Sequence, residues 1–225
     1  MIIDDKRIRI ITGHYGSGKS EFTMNYVTKL RECISSKIAL ADLDVVNVYF
    51  RTREKKELLK SLDIMTIDSS INATTLDLPA ISAEISTPIN DNSYEYIMDV
   101  GGDDVGARVV GRFSNKIKEN EYDMFCVVNA NREQTQTYDQ VINHIKAIEK
   151  SSKLKVTGLI NNTHLIRCTT IEDILKGQEV VKEVSKITNI PIKYSTCSET
   201  LLDKLPDNLS GEIFPIKLYM REEWM

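Results

Sequence analysis

Gly13-His14-Tyr15-Gly16-Ser17-Gly18-Lys19-Ser20 is a complete G-x-x-x-x-G-K-[ST] pattern, and it directly follows the apolar run 7–12. Each residue type has a physical task there. Glycines let the backbone curl so that successive N–H groups point inward at phosphate oxygens. A helix that starts at the loop brings its partly positive N-terminus to the same point. Lys19 can then reach the β- and γ-phosphates, and the Ser20 hydroxyl can ligate Mg²⁺. The expected nucleotide-binding set is the whole loop, Gly13, His14, Tyr15, Gly16, Ser17, Gly18, Lys19 and Ser20, with Glu21 next to it. A chance match on a glycine turn would not need a strand before it and a helix after it. Here Phe22, Tyr26, Leu30 and Ile34 recur every four residues after the loop, as one face of a helix does.

Outward from the loop, short apolar runs alternate with helical patterns along the chain, the mark of a parallel sheet wrapped by helices. Strands are expected at 7–12, 37–43, 64–67, 94–100, 123–129, 155–161, 191–194 and 212–217. Several are apolar on both faces, as buried parallel strands are. Helical stripes are expected through Val105, Val109, Phe113 and Ile117, and through Tyr138, Val141, Ile142, Ile145 and Ile148. The stretch 68–93, rich in Ser, Thr and Asn, is expected to be a long connection with one short helix at 78–85, where Pro79 suits a first turn. The expected fold is one α/β domain over residues 1–225. It is a doubly wound P-loop NTPase fold with a mostly parallel sheet of seven or eight strands.

Two acidic motifs lie on the rim that such a sheet reserves for ligands, beyond the carboxyl ends of its strands. The second strand ends Ala41-Asp42-Leu43-Asp44, and the fourth ends Met98-Asp99-Val100-Gly101-Gly102. Asp99 fits a Walker B carboxylate that holds Mg²⁺ through water, and Asp42 supports the metal shell. Asp44 is placed to orient an attacking water. Gly102 is placed to offer its N–H to the γ-phosphate and to hinge a switch. The bland alternative for each carboxylate is a helix cap or a turn.

Net charge is −4 over 225 residues with 41% hydrophobic residues, so nothing suggests a general grip on nucleic acid. No run of about eighteen apolar residues exists, so no membrane span is expected. The start of the chain lacks the apolar core of a signal peptide. The four cysteines are far apart with no C-x-x-C pair, which argues for free thiols in a reducing compartment and against a zinc or iron–sulfur site within the chain. A cytoplasmic location follows. His14, His144 and His164 are too scattered for a metal site, and Trp224 lies in a tail expected to be disordered.

The order of P-loop, D-x-D and D-x-G-G resembles the MinD/ParA and nitrogenase iron protein class of NTPases, the SIMIBI class. More narrowly, residues 13–20, Ala41 to Arg51 and Asp99 to Arg108 resemble a branch of CobQ/MinD/ParA-like ATP-binding proteins. The resemblance implies Lys19 and Ser20 at phosphate and metal, Asp44 in a first switch, Asp99 as Walker B carboxylate and Gly102 in a second switch. It also implies an ATP-dependent partner protein and leaves a homodimer open. Better-known members carry a lysine after the first glycine that reaches a partner's phosphates; here that residue is His14, and Arg51, Arg108 or Arg112 are the candidates to replace it. The late strand ends Asn161-Asn162 where guanine-selective proteins carry N-K-x-D, and an Asn there resembles the adenine-contacting Asn of the class. The alternative is that Asn161-Asn162 only turns the chain. Arg51, Arg53 and Arg132 are further rim cations, read either as phosphate forks or as solvated charges. Three functions compete: a slow ATPase switch, a small-molecule kinase or ligase of the dethiobiotin synthetase type, and a non-hydrolysing nucleotide sensor.

Overall fold

The computed structural model describes residues 1–44, 55–68 and 79–220. Arg51, Arg53, Trp224 and residues 69–78 of the Ser/Thr/Asn-rich connection lie outside them. Eight strands form one sheet in the order β3-β2-β4-β1-β5-β6-β7-β8. They are β1 (Ile8–Thr12), β2 (Lys37–Leu43), β3 (Ile64–Asp68), β4 (Tyr94–Val100), β5 (Tyr122–Val128), β6 (Gly158–Asn161), β7 (Ile192–Ser198) and β8 (Glu212–Ile216). Every pairing is parallel, so "mostly parallel" becomes all parallel. The connecting helices are α1 (Lys19–Cys33), α2 (Lys56–Ser61), α3 (Pro79–Asn90), α4 (Asp104–Gly111), α5 (Tyr138–Ser152) and α6 (Ile171–Thr188).

The two-residue period of the strands sorts their side chains into two cores. Met124, Cys126 and Val128 of β5 face the layer of α3, α4, α5 and α6, while Phe125 and Val127 face that of α1 and α2. Phe22, Tyr26 and Leu30 of α1 are fully buried in the second layer, each contributing about 1.5–3 kcal/mol in transfer from water.

Boundaries moved where side chains intercept backbone groups. β6 starts three residues late because the Lys155 N–H donates to the Tyr122 hydroxyl and the Val156 N–H to Glu149 Oε1, at 2.9 and 3.0 Å. α3 runs past residue 85 through Pro88, and Arg7 satisfies its end by donating to the carbonyls of Pro88 and Ile89 at 2.7 and 2.9 Å. α4 ends at Gly111, before Phe113, and Val105 is 47% exposed, so that stripe starts at Val109. β7 is longer than expected because β8 pairs with it out to Ser198. α6 has no counterpart among the expected helices, although Thr170 and Asp173 form its capping box.

A polar cluster is buried at the amino ends of the strands. The Asp5 carboxylate accepts from the Tyr26 hydroxyl at 2.7 Å and from the Tyr194 hydroxyl, and pairs with Lys193 at 2.8 Å. Arg9 pairs with Glu95 and donates to the Asp5 carbonyl at 3.0 Å. No helix among the described residues is long and apolar enough to cross a membrane.

Candidate functional site

β1 lies between β4 and β5, and the register sets Ile11 beside Asp99 and Asp42 beside Asp99. The loop that leaves β1 therefore opens directly over both acidic motifs. Gly16 and Gly18 take φ of 77° and 81°, a left-handed backbone that side chains other than glycine resist. Lys19 opens α1, and its Nζ sits 2.5 Å from Asp44 Oδ2 with both side chains buried. Burial works against the Lys19 ammonium, but Asp99, Asp44 and Asp42 outweigh it and hold its pKa above the ordinary lysine value. Burial also lifts the Asp99 carboxyl to about 7; Lys19 pulls it back, and Asp42 and Asp44 push it up.

The Ser20 hydroxyl and both Asp99 carboxylate oxygens are buried with no hydrogen bond of good geometry, although Ser20 lies near enough to Asp99 to help lower its pKa. Orphaned buried oxygens of this kind are costly, and these are hard donors that fit Mg²⁺. Among the described residues no cluster of three or more His, Cys, Asp or Glu could hold a metal alone. Asp42, 2% exposed, accepts from the Asp44 N–H at 3.3 Å.

The D-x-G-G turn packs onto the phosphate loop. A Cβ on Gly102 would lie 1.9 Å from the Gly13 carbonyl oxygen, and one on Gly101 would lie 3.2 Å from Asp44 Oδ1. Gly102→Ala is expected to push the turn off the loop, to cost about 1–3 kcal/mol of stability by overpacking, and to lower nucleotide affinity. Urea unfolding and equilibrium nucleotide binding check this. Wild-type values for both would mean that the loop yields freely.

Next to the loop, a cavity of about 680 Å³ runs toward β7 and β8. Tyr15, Gly16, Gly18, Lys19, Ser20 and Glu21 line it from the loop side. The two asparagines part company. Asn162 lines the cavity, donates to the Ser17 carbonyl at 2.7 Å and accepts from the Thr196 hydroxyl at 2.5 Å. Asn161 is fully buried and donates to the Ile174 carbonyl of α6 at 2.9 Å, so its amide anchors a helix and does not line the cavity. Glu21 borders the cavity too, but its carboxylate accepts from the Tyr219 and Met220 N–H groups. Asn25 reinforces this clamp by bonding both ways to the Lys217 backbone, at 2.8 and 2.7 Å. Ile216, Leu218 and Met220 so become the apolar wall of the cavity.

Sequence spacing hid two histidine contacts. The His14 and His144 rings lie 5.5 Å apart, edge to face, and His164 reaches Gly18, where an added Cβ would be 2.8 Å from its Nε2. Burial and then His14 depress the His144 pKa from 6.5 to about 4. The unfolded chain therefore takes up this proton near pH 6.5, and the folded chain takes it up only near 4. Stability is full above the window and falls as pH drops through it, by at most about 3 kcal/mol for 2.5 pH units. Urea unfolding at pH 7 and pH 4.5 should show a smaller drop for His144→Gln than for the unaltered protein. Equal drops would remove His144 from the account.

Of the candidate arginines, Arg108 is exposed and pairs with Asp104 at 3.6 Å, a contact worth little. Arg132, by contrast, lies over the phosphate loop, with its Nε donating to the Gly16 carbonyl at 3.0 Å.

No protein-family model and no curated protein matches the chain. Solved structures do. Cell division protein FtsY from Thermotoga maritima superposes with a TM-score of 0.59 at 18% identity, covering 85% of this chain and 62% of that one. FtsY from Mycoplasma mycoides gives 0.53 at 16%, covering 85% and 61%. Signal recognition particle receptor FtsY from Elizabethkingia anophelis, in complex with GDP, gives 0.51 at 14%, covering 84% and 56%. This chain thus spans about three fifths of those proteins' length. At such identities the likeness establishes the fold alone, a parallel α/β sheet of the P-loop NTPase kind, and does not single out the MinD/ParA branch.

Proposed function

We propose that residues 1–225 form one cytoplasmic ATP-binding domain that hydrolyses ATP slowly with Mg²⁺ and uses its nucleotide state to control docking on a partner protein. The observation that carries this reading is the set of orphaned oxygens on Ser20 and Asp99 beside the buried Lys19, with Lys19 and Ser20 lining the 680 Å³ cavity. Phosphates fit the loop, and base and ribose fit the cavity. Guanine presents N–H donors at N1 and at its 2-amino group, where adenine presents an acceptor at N1 and a bare C–H at C2. Among the described residues that line the cavity Glu21 is the one carboxylate, and the Tyr219 and Met220 N–H groups donate to it. That favours adenine.

An anionic phosphate oxygen competing for Lys19 would release Asp44 from its ion pair, leaving it to orient water. In-line attack of that water forms the new P–O bond as the bond from the γ-phosphorus to the β–γ bridging oxygen breaks, with Lys19 offsetting charge on the leaving ADP. Mg²⁺, when bound through Ser20 and Asp99, neutralises charge on the same phosphates. Because Asp44 lies against Gly101 and Gly102 against Gly13, both acidic motifs respond to what the loop holds.

The GDP bound to the Elizabethkingia protein makes GTP the second reading. The test is phosphate release from ATP and from GTP with Mg²⁺, with Lys19→Ala as control. Slow release from ATP is expected. Preferential release from GTP would overturn the base assignment, and binding of ATP without any release would replace hydrolysis with acceptor transfer or sensing.

A further inference from the structure

The site as described is rich in negative charge. Asp42, Asp44 and Asp99 surround Lys19, so the loop ammonium is largely offset before any phosphate arrives. His14, where related proteins place a second lysine, is turned against His144. A nucleotide polyphosphate needs another cation, and Arg132 is built into position for it.

Arg132 follows β5 in a turn that is bonded at every step. Its N–H donates to the Asn129 carbonyl at 3.0 Å, and its own carbonyl accepts from Thr135 at 2.9 Å. The Asn129 carboxamide donates to the His164 carbonyl at 3.3 Å and accepts from the Asn131 N–H at 3.0 Å. From this turn the Arg132 side chain lies across Gly16: its Nε, Cζ and Cδ would sit 3.0, 3.3 and 3.4 Å from a Cβ there. Nε is engaged on the Gly16 carbonyl. No carboxylate among the described residues pairs with the guanidinium, and the side chain lines the same cavity as Lys19 and Ser20. An exposed arginine that only solvated itself would have no reason to be fixed flat on a phosphate loop. One nitrogen holds the loop, and the two terminal nitrogens remain for a ligand. A guanidinium suits this division because its donors are set in a rigid planar fork.

We infer that Arg132 is a phosphate-binding residue, a cation supplied by the same chain to the polyphosphate of the bound nucleotide in place of the absent loop lysine. This rests on the nucleotide-binding reading above. Charge-assisted bonds of this type change affinity by about ten- to a hundredfold.

The test is equilibrium binding of ATP, ADP and adenosine to the full chain and to Arg132→Ala and Arg132→Lys, at low and high salt. Arg132→Ala should weaken ATP about ten- to a hundredfold and leave adenosine unchanged, with a shallower salt dependence. Arg132→Lys, which keeps the charge but has no Nε for Gly16, should recover part of the loss. Three results would overturn the assignment: unchanged ATP affinity in Arg132→Ala, equal losses for ATP and adenosine, or no recovery with lysine. Failure of the unaltered protein to bind ATP or GTP would remove the nucleotide reading itself. Tight binding by the unaltered protein with no effect at Arg132 would remove only this residue.

Discussion

Lys19→Ala should bring phosphate release to background and weaken ATP binding by at least about a hundredfold. The lysine contributes charge-assisted bonds to the phosphates and offsets the charge that develops on them during transfer. Its loss has a second effect. Asp44 loses its 2.5 Å ion-pair partner while still buried beside Asp42 and Asp99, and an uncompensated buried charge costs about 3–5 kcal/mol. Lys19→Met, which keeps the side-chain length without the charge, separates lost volume from lost charge. Urea unfolding and isothermal titration read both effects. ATP affinity within threefold of the unaltered protein in both variants would sink the assignment of the loop.

The largest effect away from the site is expected at Asp5. Asp5→Ala strips the Tyr26 and Tyr194 hydroxyls and Lys193 of their common acceptor. Breaking a buried network from one side costs about 3–5 kcal/mol, or roughly 10 °C in melting temperature for a chain of this size. This cluster is at the amino ends of the strands and the phosphate loop is at their carboxyl ends, so nucleotide affinity should stay as it was. Thermal unfolding and ATP titration of Asp5→Ala check this. A melting temperature within 2 °C of the unaltered protein would mean that the cluster is not a structural anchor.

The contrast between these two regions explains what the sequence could reveal. The phosphate loop and the acidic motifs are local patterns, and an open parallel sheet places strand ends on one rim, so Lys19, Asp44 and Asp99 could be brought together without coordinates. The eight strands were readable for the same reason, since each is a short apolar run of its own. Contacts between distant segments carried no such local mark. Nothing around Asp5 announces Tyr194, and nothing around Glu21 announces Tyr219. Asn161 and Asn162 look alike as neighbours, but the two-residue period of a strand end sends one amide to α6 and the other to the loop. The polar residues of α6 dilute its apolar stripe and hide it in the sequence, although Thr170 and Asp173 mark its start.

The clamp between Glu21 and the backbone of Tyr219 and Met220 joins segments about two hundred residues apart. Closing a loop of that length costs about 5 kcal/mol plus a constant, and on the proposed reading a nucleotide resting on Leu218 and Met220 would offset part of it. During synthesis the apolar wall of the cavity is made about two hundred residues after the phosphate loop. On the nucleotide-binding reading, a growing chain lacks the apolar side of the base cavity until Leu218 and Met220 have been made.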